Sequence, residues 1–383
     1  MDDEVTTAGP FADTDGGAEL RLCLTVVADR IATLRIDNRR PAGLLEVLRG
    51  HRADGAPDLV RRLFPICGSA HALACAHAIA AARGIALNET DAERLLLYAE
   101  LAVAHGWRSL IDWRTLLALP PRMRELRRLV ETAEQLRGIA RNPGVSDERR
   151  IALQALADAL QQAVFGDDAP RVWPAESLYE WAVARASPLH EMLRAIRQSP
   201  LATLRPPQTV LLGTPAAAWF AARLSREPDF GRWPSVDGLP AEVGAYAECT
   251  AAERGVFDAA GPIAARLLAM LGSAAALLES LREAALGRSP APMLDACATA
   301  PGSGCAVART VRGPLAYWVR VDGERIADLR AVAPTEWALH PRGSLRQVLL
   351  GLPALGAQAL VRLAAAAFDP CAVLAVAMEQ AHA

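Results

Sequence analysis

The sequence predicts an α+β protein in which helices predominate. The chain has 383 residues, of which 52% are hydrophobic and 22% charged. This is a globular composition, and its abundant alanine and leucine favour helices. Segments with the two-residue alternation of β-hairpins occur near both ends, and the region between them has the periodicity of helices. The length is enough to bury a large core in one domain or in two.

Charge and cysteine usage exclude several classes of protein. The formal net charge is -2, which gives no basic footprint for nucleic acid or anionic lipid. The seven cysteines are scattered along the chain, without the spacing of a disulfide framework. Such usage is typical of a reducing compartment, so we expect a cytoplasmic protein.

The N-terminus has no apolar core of a signal peptide, and we expect residues 1–17 to be a disordered acidic tail before one domain over 18–383. The most apolar stretches are Pro262–Leu278 and Leu363–Met378. Arg266 interrupts the first and Asp369-Pro370 the second, so we expect neither to span a bilayer.

The first elements follow from alternation and capping signals. Leu20–Val27 and Ile31–Ile36 alternate as strands of a hairpin that turns at Asp29-Arg30. A short helix is expected over Gly43–Arg49, and a longer one from Ser69 to Arg83, closed by Gly84. The next helix opens with the capping box Thr90-Asp91-Ala92-Glu93 and runs to Gly106.

The remaining elements are mostly helices, followed by a second hairpin. The helices are expected at Met123–Ile139, Ser146–Phe165, Leu178–Arg197, Pro215–Leu224, Ala241–Glu283 with breaks, and Ala354–Ala367. Ala316–Val321 and Glu324–Leu329 flank Asp322-Gly323, a pair that favours a type I′ turn. Cys297 and Cys305 are expected in a Gly/Ser loop before this hairpin, where packing is their simplest role.

Two cysteine segments at opposite ends of the chain point to a function. The first is Arg62-Leu63-Phe64-Pro65-Ile66-Cys67-Gly68-Ser69-Ala70-His71, and the second is Phe368-Asp369-Pro370-Cys371-Ala372-Val373-Leu374. They resemble the R-I-C-G-x-C-x-x-x-H and D-P-C-x-x-C-x-x-H motifs of the [NiFe]-hydrogenase large subunit. That family holds nickel and iron with four thiolates, and only two of the four are present here.

The alignment decides which thiolates remain. Without a gap, Phe64 replaces the first cysteine of the first motif, Cys67 matches the second, and His71 matches the histidine. Aligning on Ile66-Cys67-Gly68 instead makes Cys67 the first cysteine, but this needs a deletion before His71. We prefer the gapless alignment. In the second motif Cys371 matches the first cysteine, whereas Leu374 and Ala377 replace the second cysteine and the histidine.

Further segments resemble the same family in the same order. Glu242–Ala245 is similar to E-V-G-P, Arg312–Trp318 to R-G-A-L-G-H-W, and Ala331–Trp337 to A-V-V-P-T-T-W. The resemblance runs from about Leu20 to Cys371 and is weakest between Pro120 and Pro207. It implies one compact domain with the large-subunit fold, in which the two cysteine segments meet.

The departures from the family imply a changed function. The early glutamate of the large subunit has no counterpart near Asp29–Arg35. Arg309–Gly313 keeps the arginine of E-A-P-R-G, as Arg312, and loses the acid. A degenerate paralogue of this kind resembles the HupK/HoxV hydrogenase maturation proteins. This resemblance implies a non-catalytic scaffold or chaperone that transiently holds an Fe(CN)₂CO unit, carries no permanent nickel, and binds hydrogenase accessory proteins or the immature large subunit.

The retained residues suit this role. Cys67 and Cys371 are the expected metal ligands, because thiolate is a soft donor. Arg312 and His71 are the expected cofactor-binding residues, and the planar guanidinium of Arg312 can donate to cyanide nitrogens. We further expect Asp369 to open the last helix, so that the helix dipole lowers the pKa of Cys371.

Each of these residues also has a purely structural interpretation. Cys67 and Cys371 can be small buried hydrophobic residues, as we expect for Cys75. His71 can be a core histidine bonded to a backbone carbonyl, and Arg312 can tie the hairpin to a carboxylate. Two rival functions therefore stay open: a divergent active hydrogenase subunit, and a paralogue that binds partners without metal.

Overall fold

The computed structural model describes residues 20–38, 44–141, 146–167, 174–371 and 374–380. The predicted tail over residues 1–17 lies outside the described residues, as does Gly43 at the start of the first predicted helix. The described part of that helix is a 3₁₀ turn over Leu44–Leu48.

The N-terminal hairpin is confirmed, and it gains a third strand. Strands β1 (Leu20–Val27) and β2 (Arg30–Asn38) pair antiparallel. They join through Ala28 and Asp29, one residue before the predicted turn at Asp29-Arg30, since Arg30 already pairs with Val27. Both turn residues have positive φ, as a type I′ turn requires. Strand β10 (Leu374–Gln380) pairs in parallel with β1. The two ends of the described chain therefore share one sheet.

The helices have the following bounds: α1 Ala56–Leu63, α2 Gly68–Ala82, α3 Asp91–Trp107, α4 Trp113–Leu116, α5 Met123–Arg141, α6 Ser146–Val164, α7 Ala175–Ala184, α8 Pro188–Arg197, α9 Ala217–Leu224, α10 Ala245–Glu248, α11 Ala251–Asp258, α12 Pro262–Ala285, α13 Pro334–Ala338, α14 Ser344–Leu349 and α15 Ala357–Phe368. The predicted capping box at Thr90 is present at the start of α3.

Two segments that were predicted as long helices are each divided into shorter elements in the structure. The predicted helix over Leu178–Arg197 is α7 and α8, because Ser187 caps a new helix that has Pro188 in its first turn. The region over Ala241–Glu283 starts as a strand and continues as α10, α11 and α12. Gly244 and Gly261, both at positive φ, stand before α10 and α12.

The prediction that Asp369 opens the last helix is wrong. Asp369 is the left-handed residue that ends α15, and the chain continues into β10. Pro370 explains the end of the helix, since a proline disfavours helical backbone at the residue before it. Cys371 therefore does not lie at a helix N-terminus.

The C-terminal sheet is larger than the predicted hairpin. Its four strands follow the order β6 (Leu294–Ala300), β7 (Ser303–Thr310), β8 (Gly313–Asp322), β9 (Arg325–Val332). The β8–β9 hairpin is confirmed, but it turns at Gly323-Glu324 instead of the predicted Asp322-Gly323, because Asp322 pairs with Arg325. Only Gly323 of these turn residues has positive φ, so the turn is not type I′. The loop prediction for Cys297 and Cys305 is wrong, because they face each other on β6 and β7.

A small sheet of β3 (Val210–Leu211), β5 (Leu239–Glu242) and β4 (Ser235–Val236) completes the strands. Helix α2 packs against β7, where a Cβ on Gly304 would lie 2.4 Å from the carbonyl oxygen of Ala78. The segments Pro65–Ala82 and Pro262–Ala285 have the length and hydropathy of membrane spans, but 72% of each window is buried inside the protein. A buried core helix has the same properties.

Candidate metal centre

Two thiols meet where the ends of the fold come together. The sulfur atoms of Cys67 and Cys371 lie 3.8 Å apart, and both residues are partly buried. A disulfide bond would need about 2.05 Å, so these are separate thiols. Two metal–sulfur bonds of about 2.3 Å at a tetrahedral angle place their sulfurs about 3.8 Å apart. The spacing fits two thiolates on one metal ion.

Neighbouring elements fix each cysteine. Cys67 ends a 3₁₀ turn over Pro65–Cys67 and is the residue before α2. The backbone N–H of Cys371 donates to Oγ1 of Thr335 over 3.2 Å. Of the two cysteines, it is Cys67 that lies at a helix N-terminus, that of α2, and not Cys371, for which we expected one. The hydrogen bond to Cys371 and burial nevertheless raise the pKa of Cys67 well above its ordinary value, against the opposing charge of Arg312.

Arg312 ties the segment of Cys371 to the C-terminal sheet. It lies in the turn between β7 and β8, and its Nε donates to the backbone oxygen of Asp369 over 3.1 Å and lies 3.0 Å from Oδ2. Burial favours a lower pKa for Arg312, but the charge of Asp369, together with that of Cys371 and Cys67 in their thiolate forms, outweighs it and raises the pKa. Arg312 thus ties the hairpin to a carboxylate, as its structural interpretation expects, and it does so beside the thiol pair.

A π-helical turn between α3 and α4 supplies further charged groups. It spans Arg108–Asp112, and all of its residues are buried. Arg108 forms a second ion pair with Asp369. Asp112 accepts from Nε1 of Trp107 over 3.1 Å, and burial together with Asp369 raises its pKa to about 7. Sequence analysis missed this turn because an arginine and an aspartate four residues apart are typical of an exposed helical face.

His71 is a core histidine. Its Nδ1 lies 2.7 Å from the hydroxyl oxygen of Tyr317, not from a backbone carbonyl. Burial lowers its pKa to about 3, so the ring is neutral at pH 7. Phe64 stacks on it with ring centroids 4.1 Å apart. The residue that replaces the first cysteine of the family motif therefore packs on the retained histidine.

A buried carboxylate holds the start of α2. The Glu100 oxygens accept from the backbone N–H groups of Ser69 over 2.6 Å and Ala70 over 3.1 Å. Burial raises the pKa of Glu100, although these two bonds oppose the shift. Glu100 fixes the first turn after Cys67, and sequence analysis missed it. A possible signal was an acid inside an apolar run of α3.

The segment that resembles E-V-G-P supports the arginine turn. Glu242 forms a buried bidentate ion pair with Arg266, at 2.7 and 2.6 Å, and accepts from the hydroxyl of Ser344. A Cβ on Gly244 would lie 2.6 Å from the backbone oxygen of Arg312. The glycine therefore lets this segment approach the Arg312 turn.

Sequence comparison identifies the family. No family model matches the chain. The hydrogenase expression/formation protein HoxV of Cupriavidus necator is 32% identical over 358 residues, which cover 88% of this chain and 90% of that protein. The chain belongs to the HoxV/HupK family of hydrogenase expression/formation proteins. The HupK protein of Rhizobium leguminosarum bv. viciae is 29% identical, with 96% and 98% coverage.

The fold of this HoxV/HupK protein is that of a hydrogenase large subunit, as predicted. The reduced Ni-Fe-Se hydrogenase of D. vulgaris Hildenborough superposes with a TM-score of 0.57 at 16% identity, covering 90% of this chain and 94% of that one. A [NiFeSe]-hydrogenase of Dm. baculatum gives a TM-score of 0.52 at 14% identity, with the same coverages.

The HoxV/HupK chain offers few ligands at this centre. Within the ranges that the structure describes, no group of three or more His, Cys, Asp or Glu side chains could hold a metal ion. Leu374, which replaces the second cysteine of the second motif, is fully buried at the start of β10. Of the four residues that the gapless alignment places at the thiolate positions, two are thiols, Leu374 is buried in the core, and Phe64 is partly buried against it.

Proposed function

We propose that this chain is a non-catalytic scaffold in [NiFe]-hydrogenase maturation that transiently holds an Fe(CN)₂CO unit between Cys67 and Cys371. The observation that carries the proposal is the 3.8 Å separation of these two sulfurs. Two thiolates on one iron leave its other positions to cyanide, carbonyl and the next acceptor. Such incomplete coordination favours transfer over permanent retention.

The surrounding residues have defined tasks in this proposal. Both thiols lose their protons when they bind iron, because the thiolate is the ligand. Nε and one terminal nitrogen of Arg312 bond to Asp369. The other terminal nitrogen has no hydrogen bond to the described residues, and in this proposal it donates to a cyanide nitrogen. His71 remains a candidate for cofactor binding. Its contact with Tyr317 favours a role in shaping the wall of the site.

The family to which the chain belongs supports the proposed binding partners. The relatives are named hydrogenase expression/formation proteins. We therefore expect accessory proteins of the pathway, the immature large subunit, or both, to bind this chain in the cytoplasm. The proposed cycle includes no permanent nickel, no nucleic acid and no membrane span.

The decisive experiment is infrared spectroscopy of the anaerobically purified protein, expressed together with the hydrogenase accessory proteins. We expect cyanide and carbonyl stretching bands in the parent. Cys67→Ser, Cys371→Ser and the double variant should all lack them to the same degree, because the two residues act as one unit. Cys75→Ser is the matched control, since Cys75 is a buried thiol of the same helix region.

Other outcomes would favour the rival functions. Bands of equal intensity in Cys371→Ser would contradict the scaffold mechanism. A folded Cys371→Ser variant that fully complements a deletion strain would favour the metal-free, partner-binding paralogue. One nickel per chain, or hydrogen-dependent dye reduction, would favour a divergent hydrogenase.

A further inference from the structure

A cationic groove lies along the outer edge of the N-terminal sheet, apart from the thiol pair. It has a volume of about 420 Å³, and its walls include Leu34, Arg35 and Ile36 of β2. Trp233, Arg342 and Arg346 form the facing wall. None of these residues belongs to the candidate metal centre.

The β2 side of the groove is an open sheet edge. Strand β2 is the outermost strand in the order β10-β1-β2. At its start, Ile31 exchanges backbone hydrogen bonds with Gly351 and Leu352, both 2.8 Å long. Farther along, at Leu34–Ile36, no strand pairs with this edge among the residues that the structure describes. An open edge of this kind can accept an extended peptide as an additional strand.

The charge of the groove is incompletely neutralised. Arg342 donates to the backbone oxygen of Gly238 over 2.8 Å, and Arg346 donates to that of Leu34 over 3.5 Å. Over the described ranges, no carboxylate forms an ion pair with Arg342 or Arg346. Arg35, by contrast, pairs with Asp37 and Glu379.

The facing wall also offers an aromatic surface. Trp233 is 37% exposed, and Arg232 stacks over its ring at 5.1 Å. The groove thus combines two arginines without acidic partners, an aromatic face and an open strand edge. These features fit an extended peptide that carries carboxylates on alternate residues. Arginine is suited to such a partner because its planar fork binds carboxylate in a bidentate manner.

We propose that this groove binds an acidic, extended polypeptide segment of a partner protein by adding it to the edge of β2. When the segment binds, Arg346 releases the backbone oxygen of Leu34. Arg342 and Arg346 then bind its carboxylates, and the backbone of β2 pairs with its main chain. The proposal goes beyond iron binding, since it assigns a separate surface to partner recognition.

The test uses the full-length chain and a fluorescein-labelled peptide of twelve residues with alternating glutamate and valine. We expect this peptide to bind at least tenfold more tightly than its glutamine counterpart, and to weaken as salt is added. Arg342→Gln/Arg346→Gln should lower the affinity at least tenfold. Arg124→Gln/Arg127→Gln is the matched control, because both arginines are exposed on α5 and the charge change is equal.

A second peptide tests strand addition. The same glutamate sequence, N-methylated at alternate residues, loses main-chain donors and should bind at least tenfold more weakly. Any of three results would overturn the proposal. The glutamate and glutamine peptides could bind with equal affinity, the methylated and unmethylated peptides could do so, or the two arginine double variants could bind the glutamate peptide equally. Urea unfolding of each variant checks that it is folded, and unchanged infrared bands in Arg342→Gln/Arg346→Gln would show that the thiol pair acts independently.

The acidic N-terminal segment of this chain is the competing occupant. It contains Asp2, Asp3, Glu4, Asp13, Asp15 and Glu19 and no basic residue before Leu20. A full-length variant with these six acids changed to their amides should bind the peptide within threefold of the parent. A gain of more than tenfold would show that the segment itself fills the groove, and would overturn binding of a partner.

Discussion

One carboxylate, that of Asp369, organises the polar side of the candidate metal centre. It pairs with both Arg108 and Arg312, and it lies two residues before Cys371. Its backbone is left-handed, at φ 42°. The side chain and the backbone of Asp369 thus both fix the direction in which the chain enters the thiol pair.

Asp369→Asn separates these two contributions, because asparagine tolerates left-handed backbone as aspartate does. The variant leaves Arg108, whose side chain is 4% exposed, without its ion-pair partner. We expect the free energy of unfolding to fall by about 3–5 kcal/mol, measured by urea denaturation. Asp158→Asn, at an exposed position of α6, should change it by less than about 0.5 kcal/mol. Equal effects of the two substitutions would contradict the organising role of Asp369.

Asp112 gives the protein a pH dependence of defined sign. Burial raises its pKa from 3.8 to about 7 in the folded protein. The folded state therefore keeps a proton that the unfolded chain releases between those values, and the contribution of Asp112 to stability falls as the pH rises through this window.

Asp112→Asn removes this titration. Between pH 5 and pH 8, the stability of the variant relative to the parent should rise by about 2–3 kcal/mol, measured by urea denaturation at both pH values. Asp158→Asn should show no such trend. A constant difference between Asp112→Asn and the parent would show that Asp112 ionises normally.

Close contact between backbone segments sets the position of Arg312. Gly244 has φ 92°, and a Cβ there would lie 2.6 Å from the backbone oxygen of Arg312. Gly244→Ala should therefore destabilise the protein by about 2–5 kcal/mol. Gly138→Ala, in the last turn of α5 with no neighbouring atom within 4 Å of the added Cβ, should instead stabilise it by about 0.5 kcal/mol. A thermal unfolding curve for each variant checks the opposite signs.

Local sequence signals predicted the elements that local forces decide. The capping box at Thr90 and the alternation over Leu20–Val27 gave correct elements, since caps and strand faces depend on neighbouring residues. Strand β10 was missed because its partner, β1, lies at the other end of the chain. The π turn over Arg108–Asp112 was missed because the ion-pair partner of Arg108 is Asp369, which is remote in sequence.

The same distinction applies to the site. Motif resemblance selected Cys67, Cys371, Arg312 and His71, and the structure brings the two cysteines and Arg312 together. It could not show that His71 bonds to Tyr317, or that Glu100 holds the start of α2. Those contacts depend on how α2 and α3 pack with each other and with the C-terminal sheet. A single sequence carries no direct signal of that packing.

At the scale of the whole molecule, the proposed role predicts a cellular phenotype. Deleting this gene from a host with a [NiFe]-hydrogenase should lower hydrogenase activity, leave hydrogenase transcripts unchanged and cause unprocessed large subunit to accumulate. Immunoblots of the large subunit measure its processing, and expression of the parent chain in trans is the control. Normal processing with defective electron transfer would contradict a maturation role.

The distance between the two cysteines along the chain also has a consequence in time. They are 304 residues apart in sequence. At about 5–20 residues per second, a ribosome needs about 15–60 seconds to pass from the first codon to the second. Throughout that interval the nascent protein has only one of the two proposed iron ligands, which is too few to hold the proposed cargo. Under the proposed function, only a polypeptide synthesised beyond Cys371 can load iron, so prematurely terminated chains are excluded from metal-centre assembly.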